Sequence, residues 1–413
     1  MQRARPLGTG SDNTQRNEPA PPGGAGEVLL AFLRLGLTSF GGPIAHLGYF
    51  RTEFVERRRW LDDRGYADLV ALTQFLPGPA SSQTGFALGW LRAGWLGALA
   101  AWAGFTLPSA LAMIAFALGI AQHGALAASG AVRGLKIVAV AIVAQAVWTM
   151  ARALCPDWPR RLLAVLAALL AFAVPSALGQ VGAIAACGLL GWRLLKLPQR
   201  PPAGLRSSGV SRRAAAVALA LFAVLLLALP LAASITGSPL LQLFDGFYRA
   251  GALVFGGGHV VLPLLQAAVV PGGAVSNADF IAGYGAAQAV PGPLFTFAAY
   301  LGAVMNGPLS GWAGGLVLLV TIFLPGCLLV VGALPFWDRL RSRGGIGSAL
   351  AGVNAGVVGI LAAALVDPVF TSSVHSATDL LLALACLGLL LLARLSPVWA
   401  VGFAALAGQL LTL

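Results

Sequence analysis

Gln74-Phe75-Leu76-Pro77-Gly78-Pro79-Ala80-Ser81-Ser82 returns in altered form as Gln288-Ala289-Val290-Pro291-Gly292-Pro293-Leu294-Phe295-Thr296. Each copy lies inside a long apolar stretch. Pro-Gly-Pro must stop a helix there, because each proline removes a backbone donor and crowds the preceding turn while glycine supplies the bend. A helix is therefore predicted to break twice at membrane depth. The restart is readable too: Gly78 and Gly292 suit the N-cap, and Pro79 and Pro293 suit the first helical position. Each restarted helix then points free N–H groups and partial positive charge at one spot, beside the hydroxyl of Ser82 or Thr296. Such helix starts bind anions.

Outside these two stretches the composition sets the class. Of 413 residues, 58% are hydrophobic and 10% charged, and the mean hydropathy is +0.85. So few charges cannot cover that much apolar surface in water, which predicts an all-α polytopic membrane protein. The net charge of +12 does not indicate a nucleic-acid partner. The basic residues fall in short clusters between apolar segments, as in cytoplasmic loops of a multi-pass bacterial inner (plasma) membrane protein. Cys155, Cys187, Cys327 and Cys386 are far apart, form no CxxC pair and read as small core residues. His46, His123, His259 and His375 make no metal set, and no cofactor is expected. The absence of GxxxxGK[ST] argues against ATP-driven transport within this chain.

The chain divides into a disordered tail over 1–26, a first transporter repeat over 27–196, a basic linker plus connecting helix over 197–236, and a second repeat over 237–413. Several apolar pieces, such as 68–77, 280–290 and 293–305, are shorter than the ~20 residues of a full span, so half-helices are expected; further segments are read at 80–102 and 105–122. Duplication is visible in ordered anchors. Phe32-Leu33-Arg34-Leu35-Gly36 aligns with Phe247-Tyr248-Arg249-Ala250-Gly251, and Phe40-Gly41-Gly42 with Phe255-Gly256-Gly257, both at a spacing of 215. The Pro-Gly-Pro pair follows at 214, Pro108 with Pro325 at 217, and Gly134 with Gly352 at 218.

Charge gives the relative orientation of the halves. The loop 46–66 carries Arg51, Arg57, Arg58, Arg59 and Arg64, whereas its counterpart 266–279 carries no Lys or Arg. The next pair reverses the bias, with Arg133 alone in 122–134 against Arg339, Arg341 and Arg343 in 335–345. By the positive-inside rule the halves insert upside down relative to each other. In such inverted repeats the broken helices meet near the midplane and form a substrate site.

These paired Phe-x-Arg-x-Gly, Phe-Gly-Gly and Pro-Gly-Pro signatures, once per half over nearly the whole chain, make the sequence resemble the chromate ion transporter family in its long, two-domain form. The resemblance implies chromate efflux conferring resistance, with sulfate as a related anion. Arg34, Phe40, Gly41, Gly42, Pro77, Gly78, Pro79, Arg249, Gly256, Gly257, Pro291, Gly292 and Pro293 occupy the family's motif positions. The second half departs in having Gly258-His259 where the first has Pro43-Ile44, so the two halves need not contribute equally.

The candidate site residues each carry two readings. Arg34 and Arg249 can give parallel hydrogen bonds to a tetrahedral oxyanion, or they can snorkel or pair, Arg249 with Asp245. Glycines at 41, 42, 256 and 257 let a ligand approach, or let helices pack. Gln74 and Gln288 can donate to an anion or bridge the broken backbone. Ser81, Ser82, Thr84 and Thr296 can bind cargo or satisfy nearby carbonyls. His259 is a candidate gate.

The expected partners are an inorganic oxyanion, the lipid bilayer and, as a candidate assembly, a second copy of the chain; no nucleic acid is expected. The leading mechanism is outward chromate carriage by alternating access, with the anion held between paired half-helix starts and two arginines. Membrane potential alone can drive a dianion outward, so no buried carboxylate relay is required, and Asp245, Asp279, Asp367 and Asp379 are read as lying near segment ends; proton-coupled exchange is the other coupling left open. A carrier for sulfate or another divalent oxyanion is the alternative. An anion channel would use the same groups, and an intramembrane enzyme is disfavoured because no HExxH or GxSxG occurs.

Overall fold

The first three helices fail to cross the molecule, for the reason the Pro and Gly pattern supplies. In a computed structural model describing residues 23–40, 42–122, 130–174, 176–196, 209–255, 258–307, 309–337 and 345–411, α1 (Ala25–Thr38) stops before Ser39. Its 14 residues extend about 21 Å at ~1.5 Å per residue, short of a ~30 Å hydrocarbon core. The chain turns back as α2 (Gly42–Arg51) and a π-helical turn (Thr52–Arg57). Helix α3 (Asp63–Phe75) re-enters, capped by the Asp62 carboxylate accepting from Gly65 N–H, and ends before Pro77. Helix α4 (Ala80–Gln122) then restarts directly after Pro79. Gly41, Gly256 and Gly257 lie outside the described residues, as do most of the predicted tail, the linker 197–208, His123, and Arg339, Arg341 and Arg343.

Both first-half excursions open to one face. Glu27, in the first turn of α1, accepts from Arg92 at 3.0 Å and from the Trp60 indole at 3.3 Å, and Arg58 lies 3.5 Å away. This arginine-rich face also holds Arg152, Arg161 and Arg193, stacked over Trp148, Trp158 and Trp192, cations and amphipathic rings of the kind found at a membrane interface. Helix α4 bends here. The sequence divides this region near residue 103, whereas the structure turns at Ala93 and Gly94, where Gly94 takes φ 62°, and stays helical through Pro108. Gly104, whose carbonyl Pro108 cannot bond, packs against Gly36 so closely that a Cβ on Gly36 would sit 2.5 Å from that oxygen.

Helices α5 (Gly130–Leu154), α6 (Trp158–Ala173) and α7 (Ala177–Leu194) complete the first half, and α8 (Arg212–Thr236) takes the chain to the opposite face. From there the breaks repeat. Helix α9 (Pro239–Leu253) is followed by a 3-10 turn (Gly258–Val260) and α10 (Val261–Val269). Helix α11 (Asn277–Ala287) is followed by a 3-10 turn (Leu294–Thr296) and α12 (Phe297–Val304). Their outer ends are joined by neutral bonds, Asn306 N–H to Ala274 O at 3.0 Å and Gln266 to Asn277 at 3.1 Å.

Helix α13 (Gly311–Ala333) then returns to the arginine-rich face, where Gly345 lies against Trp192. Helix α14 (Ile346–Ala364, continued by a π turn Leu365–Phe370), α15 (Ala377–Leu391) and α16 (Pro397–Leu410) end the fold. Close pairs such as Gly191 with Gly352 and Gly134 with Ala404 let backbones touch, the small-residue packing of membrane helices. Among the described residues five helices are long and apolar enough to cross a membrane, and no strand is present. The protein is an all-α polytopic membrane protein built from two inverted repeats with broken helices.

Candidate functional site

Where the breaks meet, one backbone hydrogen bond runs from each half to the other. Gly78 N–H donates to Val254 O at 2.6 Å, and Gly292 N–H donates to Ser39 O at 2.9 Å. Val254 follows Ser39, and Gly292 follows Gly78, in the register of the repeats, so the two bonds form a reciprocal, pseudo-twofold pair. Both glycines take positive φ, +123° and +98°. A side chain on Gly78 would strike the Gln83 amide, and one on Gly292 would strike Ser109 Oγ. These N–H groups thus join half to half at the centre of the fold, and free donors at the α4 start must come from the residues after Pro79.

Those residues are polar on the first-half side. The sequence from Ala80 has high helix content and no cap other than Pro79, so Ser81 and Ser82 stand in the first turn with backbone donors facing the break. Ser81, Ser82, Gln83 and Thr84 are all buried. Thr84 Oγ1 donates to Ala80 O at 2.8 Å and meets Thr73 Oγ1 at 2.7 Å. Among the described residues, Ser82 Oγ, Ser39 Oγ and Thr106 Oγ1 are buried and make no hydrogen bond. Buried hydroxyls nearly always find a partner, so Ser82 in the first turn of α4 and Ser39 at the end of α1 mark a place for a polar ligand.

Gln83 performs the backbone repair that the sequence assigns to Gln74. Its amide donates to Pro77 O at 2.8 Å and to Gly326 O at 3.3 Å, tying the broken segment to α13. Gln74 itself is exposed. The signal for Gln83 was a lone amide four residues past a break in an apolar helix.

His46 is the second residue that the sequence underrates. It is 1% exposed, packs edge-on against Phe105 at 5.1 Å, and bonds Ser39 O through Nε2 at 3.2 Å and Ser81 Oγ through Nδ1 at 3.4 Å. Ser39 O therefore receives both His46 and Gly292. A cage of Phe32, Phe50, Phe54 and Phe105, with ring centroids 4.7 to 6.4 Å apart, fixes the wall behind the imidazole.

The second half is quieter. Thr296 Oγ1 donates back to Pro293 O at 2.8 Å, and its segment restarts as a 3-10 turn before α12. Pro291 is half-buried and Pro293 buried. Gln288 caps α11, and its buried Nε2 makes no hydrogen bond among the described residues. His259 Nδ1 meets Tyr284 Oη at 2.7 Å.

The arginines differ. Arg249 is ion-paired with Asp245 one turn back, which is buried in mid-helix rather than near a segment end as the sequence suggested; Asp245 Oδ1 and Arg249 Nε make no bond. Arg34 is exposed beside Leu30, Leu33 and Leu37, and its guanidinium bonds no described residue. Its i−4 neighbour is Leu30, where Arg249 has Asp245.

Comparison with known proteins agrees with the doubled architecture. The profile of a family described as "Chromate transporter" matches residues 26–192 and 241–409. The chain is 32% identical over 360 residues to a "Chromate transport protein" of Pseudomonas aeruginosa, covering 84% of this chain and 82% of that one. It is 28% identical over 388 residues to a "Chromate transport protein" of Cupriavidus metallidurans, covering 92% of each. It is 29% identical over 338 residues to a "Probable chromate transport protein" of Synechococcus elongatus, covering 81% and 82%. No solved structure matches the chain.

Proposed function

This chain belongs to the chromate transporter family, and we propose that it carries chromate out of the cytoplasm by alternating access. The arginine-rich face is the cytoplasmic one, in a bacterial inner membrane. The oxyanion binds at the start of α4, against the N–H groups and hydroxyls of Ser81 and Ser82 and the Pro77-Gly78-Pro79 turn. The Pro291-Gly292-Pro293 turn and Gln288 form the facing wall, and Gly42, Arg34 and Arg249 line the approach. The observation that carries this reading is the pair of buried, unpartnered hydroxyls of Ser39 and Ser82, one at the end of α1 where Gly292 bonds and one in the first turn of α4. A helix start stabilises a tetrahedral dianion without a fixed countercharge that would hold it too tightly to leave.

Each half supplies one pinned turn, so rocking one repeat against the other about the Gly78–Val254 and Gly292–Ser39 bonds opens the centre to alternate faces. Each negative charge leaving a negative cytoplasm gains ~2.3 kcal/mol per 100 mV. The donors recognise charge and tetrahedral shape, not chromium, which favours sulfate or another divalent oxyanion as the second reading.

Radiolabelled chromate flux into inverted vesicles tests the proposal, with imposed potential and pH gradient varied separately. A lumen-positive potential is expected to accelerate uptake, and Ser82→Ala to lower it about tenfold or more, the loss of one hydrogen bond to a charged group. Indifference to potential, or unchanged flux in Ser82→Ala, would refute the mechanism. Sulfate competition separates the two cargo readings.

A further inference from the structure

His46 joins three groups of the central site, and its bonding leaves one tautomer. Ser39 O is a carbonyl and can only accept, so the proton of a neutral imidazole must sit on Nε2. Nδ1 is then a bare lone pair, and Ser81 must donate its hydroxyl proton to it. In that arrangement Ser81 turns oxygen lone pairs, not a proton, toward anything at the α4 start. An anion would meet repulsion from that oxygen.

Protonation reverses the bond. With a proton on Nδ1 the imidazolium donates to Ser81 Oγ, and the hydroxyl proton is released to point at the helix start. The same proton adds a positive charge beside the incoming anion, and Ser39 O keeps its bond to Nε2–H. Resting on the oxyanion reading above, we propose that His46 is a positioning residue that makes oxyanion binding proton-linked: one proton from water enters Nδ1 as the anion docks, and leaves when the anion leaves. No bond other than N–H is made or broken, and one net negative charge rather than two crosses per turnover.

The elements packed around His46 carry Glu27 and Arg34 on α1, Tyr49 and Arg51 on α2, Glu53, Glu56 and Arg57 on its continuation, and Asp63, Arg64, Tyr66 and Asp68 on α3, while α4 carries no ionisable side chain but Arg92. Tyr66 Oη is committed to Leu47 O at 2.6 Å. The 288–296 segment that reaches Ser39 carries no ionisable group. The imidazole's own bonds go to Ser39 and Ser81, so its second proton has one acceptor waiting.

The test uses the full chain in liposomes with a weakly buffered, pH-reporting lumen. Wild-type protein is expected to move protons with chromate in the same direction. Its half-saturating chromate should rise by up to about tenfold per pH unit on the alkaline side, the limit for one linked proton. His46→Gln keeps a donor for Ser39 and an acceptor for Ser81 but holds no extra proton, so flux should persist with a flat pH profile. Ser81→Ala removes the reporter but leaves the imidazolium charge, so its pH response should shrink without vanishing, and the proton movement of the wild type keeps the inference testable if His46→Gln fails to fold. Aqueous chromate speciation is the same for every variant, so the difference between profiles reads the protein. Chromate flux without proton movement, or a wild-type slope in His46→Gln, would overturn the coupling. Absence of chromate flux in the wild type would instead overturn the transport reading.

Discussion

Thr296 turns its hydroxyl back onto Pro293 O, while Ser82, at the matching restart in the first half, leaves its hydroxyl buried and unbonded. The same divergence runs through the neighbouring positions. Gln83 faces Phe297 in the repeat register, His46 faces Val261, and Leu30 beside Arg34 faces Asp245 beside Arg249. What stays common is backbone: the two positive-φ glycines and the two reciprocal backbone bonds they donate to the other half. Duplication has thus preserved these turns and their bonds in both copies. The polar groups suited to a ligand have collected in the first copy, and the second has filled the equivalent space with aromatic packing and an internal ion pair.

Exchanging matched residues tests this division, beginning with the largest effect. Arg249→Gln should destabilise the protein by about 3–5 kcal/mol, because Asp245 is left charged and buried, and Asp245→Asn added to it should restore most of the loss. Arg34→Gln strands no carboxylate, since Glu53, which feels its charge, stays paired with Arg57 and Arg58, so folded yield by size-exclusion chromatography should hold while chromate flux falls. If the two single variants behave alike, the halves have not diverged as described.

Gly78→Ala and Gly292→Ala should fail similarly, since each forces an L side chain into the left-handed region at about 1–2 kcal/mol and drives a Cβ into Gln83 or Ser109. Thermal unfolding in detergent should show both melting earlier by comparable amounts. A large difference between them would mean that the preserved turns, too, are one-sided.

The smallest effect belongs to Thr296→Val. It deletes one local bond worth roughly 0.5–1.5 kcal/mol and should change chromate flux by less than threefold, in contrast to Ser82→Ala. Equal flux losses in the two would move the ligand to the pseudo-twofold axis and away from the first copy.

Much of this architecture is legible in residue order because its causes are local. Proline without an N–H and glycine at positive φ interrupt a helix wherever they occur, so Pro77-Gly78-Pro79 and Pro291-Gly292-Pro293 announced the broken helices. Anchors at a spacing of 215 announced the duplication, and arginine clusters between apolar segments announced its inversion. The Arg249–Asp245 pair was also visible, being one helical turn in length. Tertiary structure alone decided which polar groups are used up. Gly78 N–H finds Val254 O, Gln83 finds Gly326 O, and His46 finds Ser39 and Ser81, across gaps in sequence that carry no periodic signal. A buried donor is satisfied by whatever lies within about 3 Å of it, and that neighbour is set by how the two halves pack.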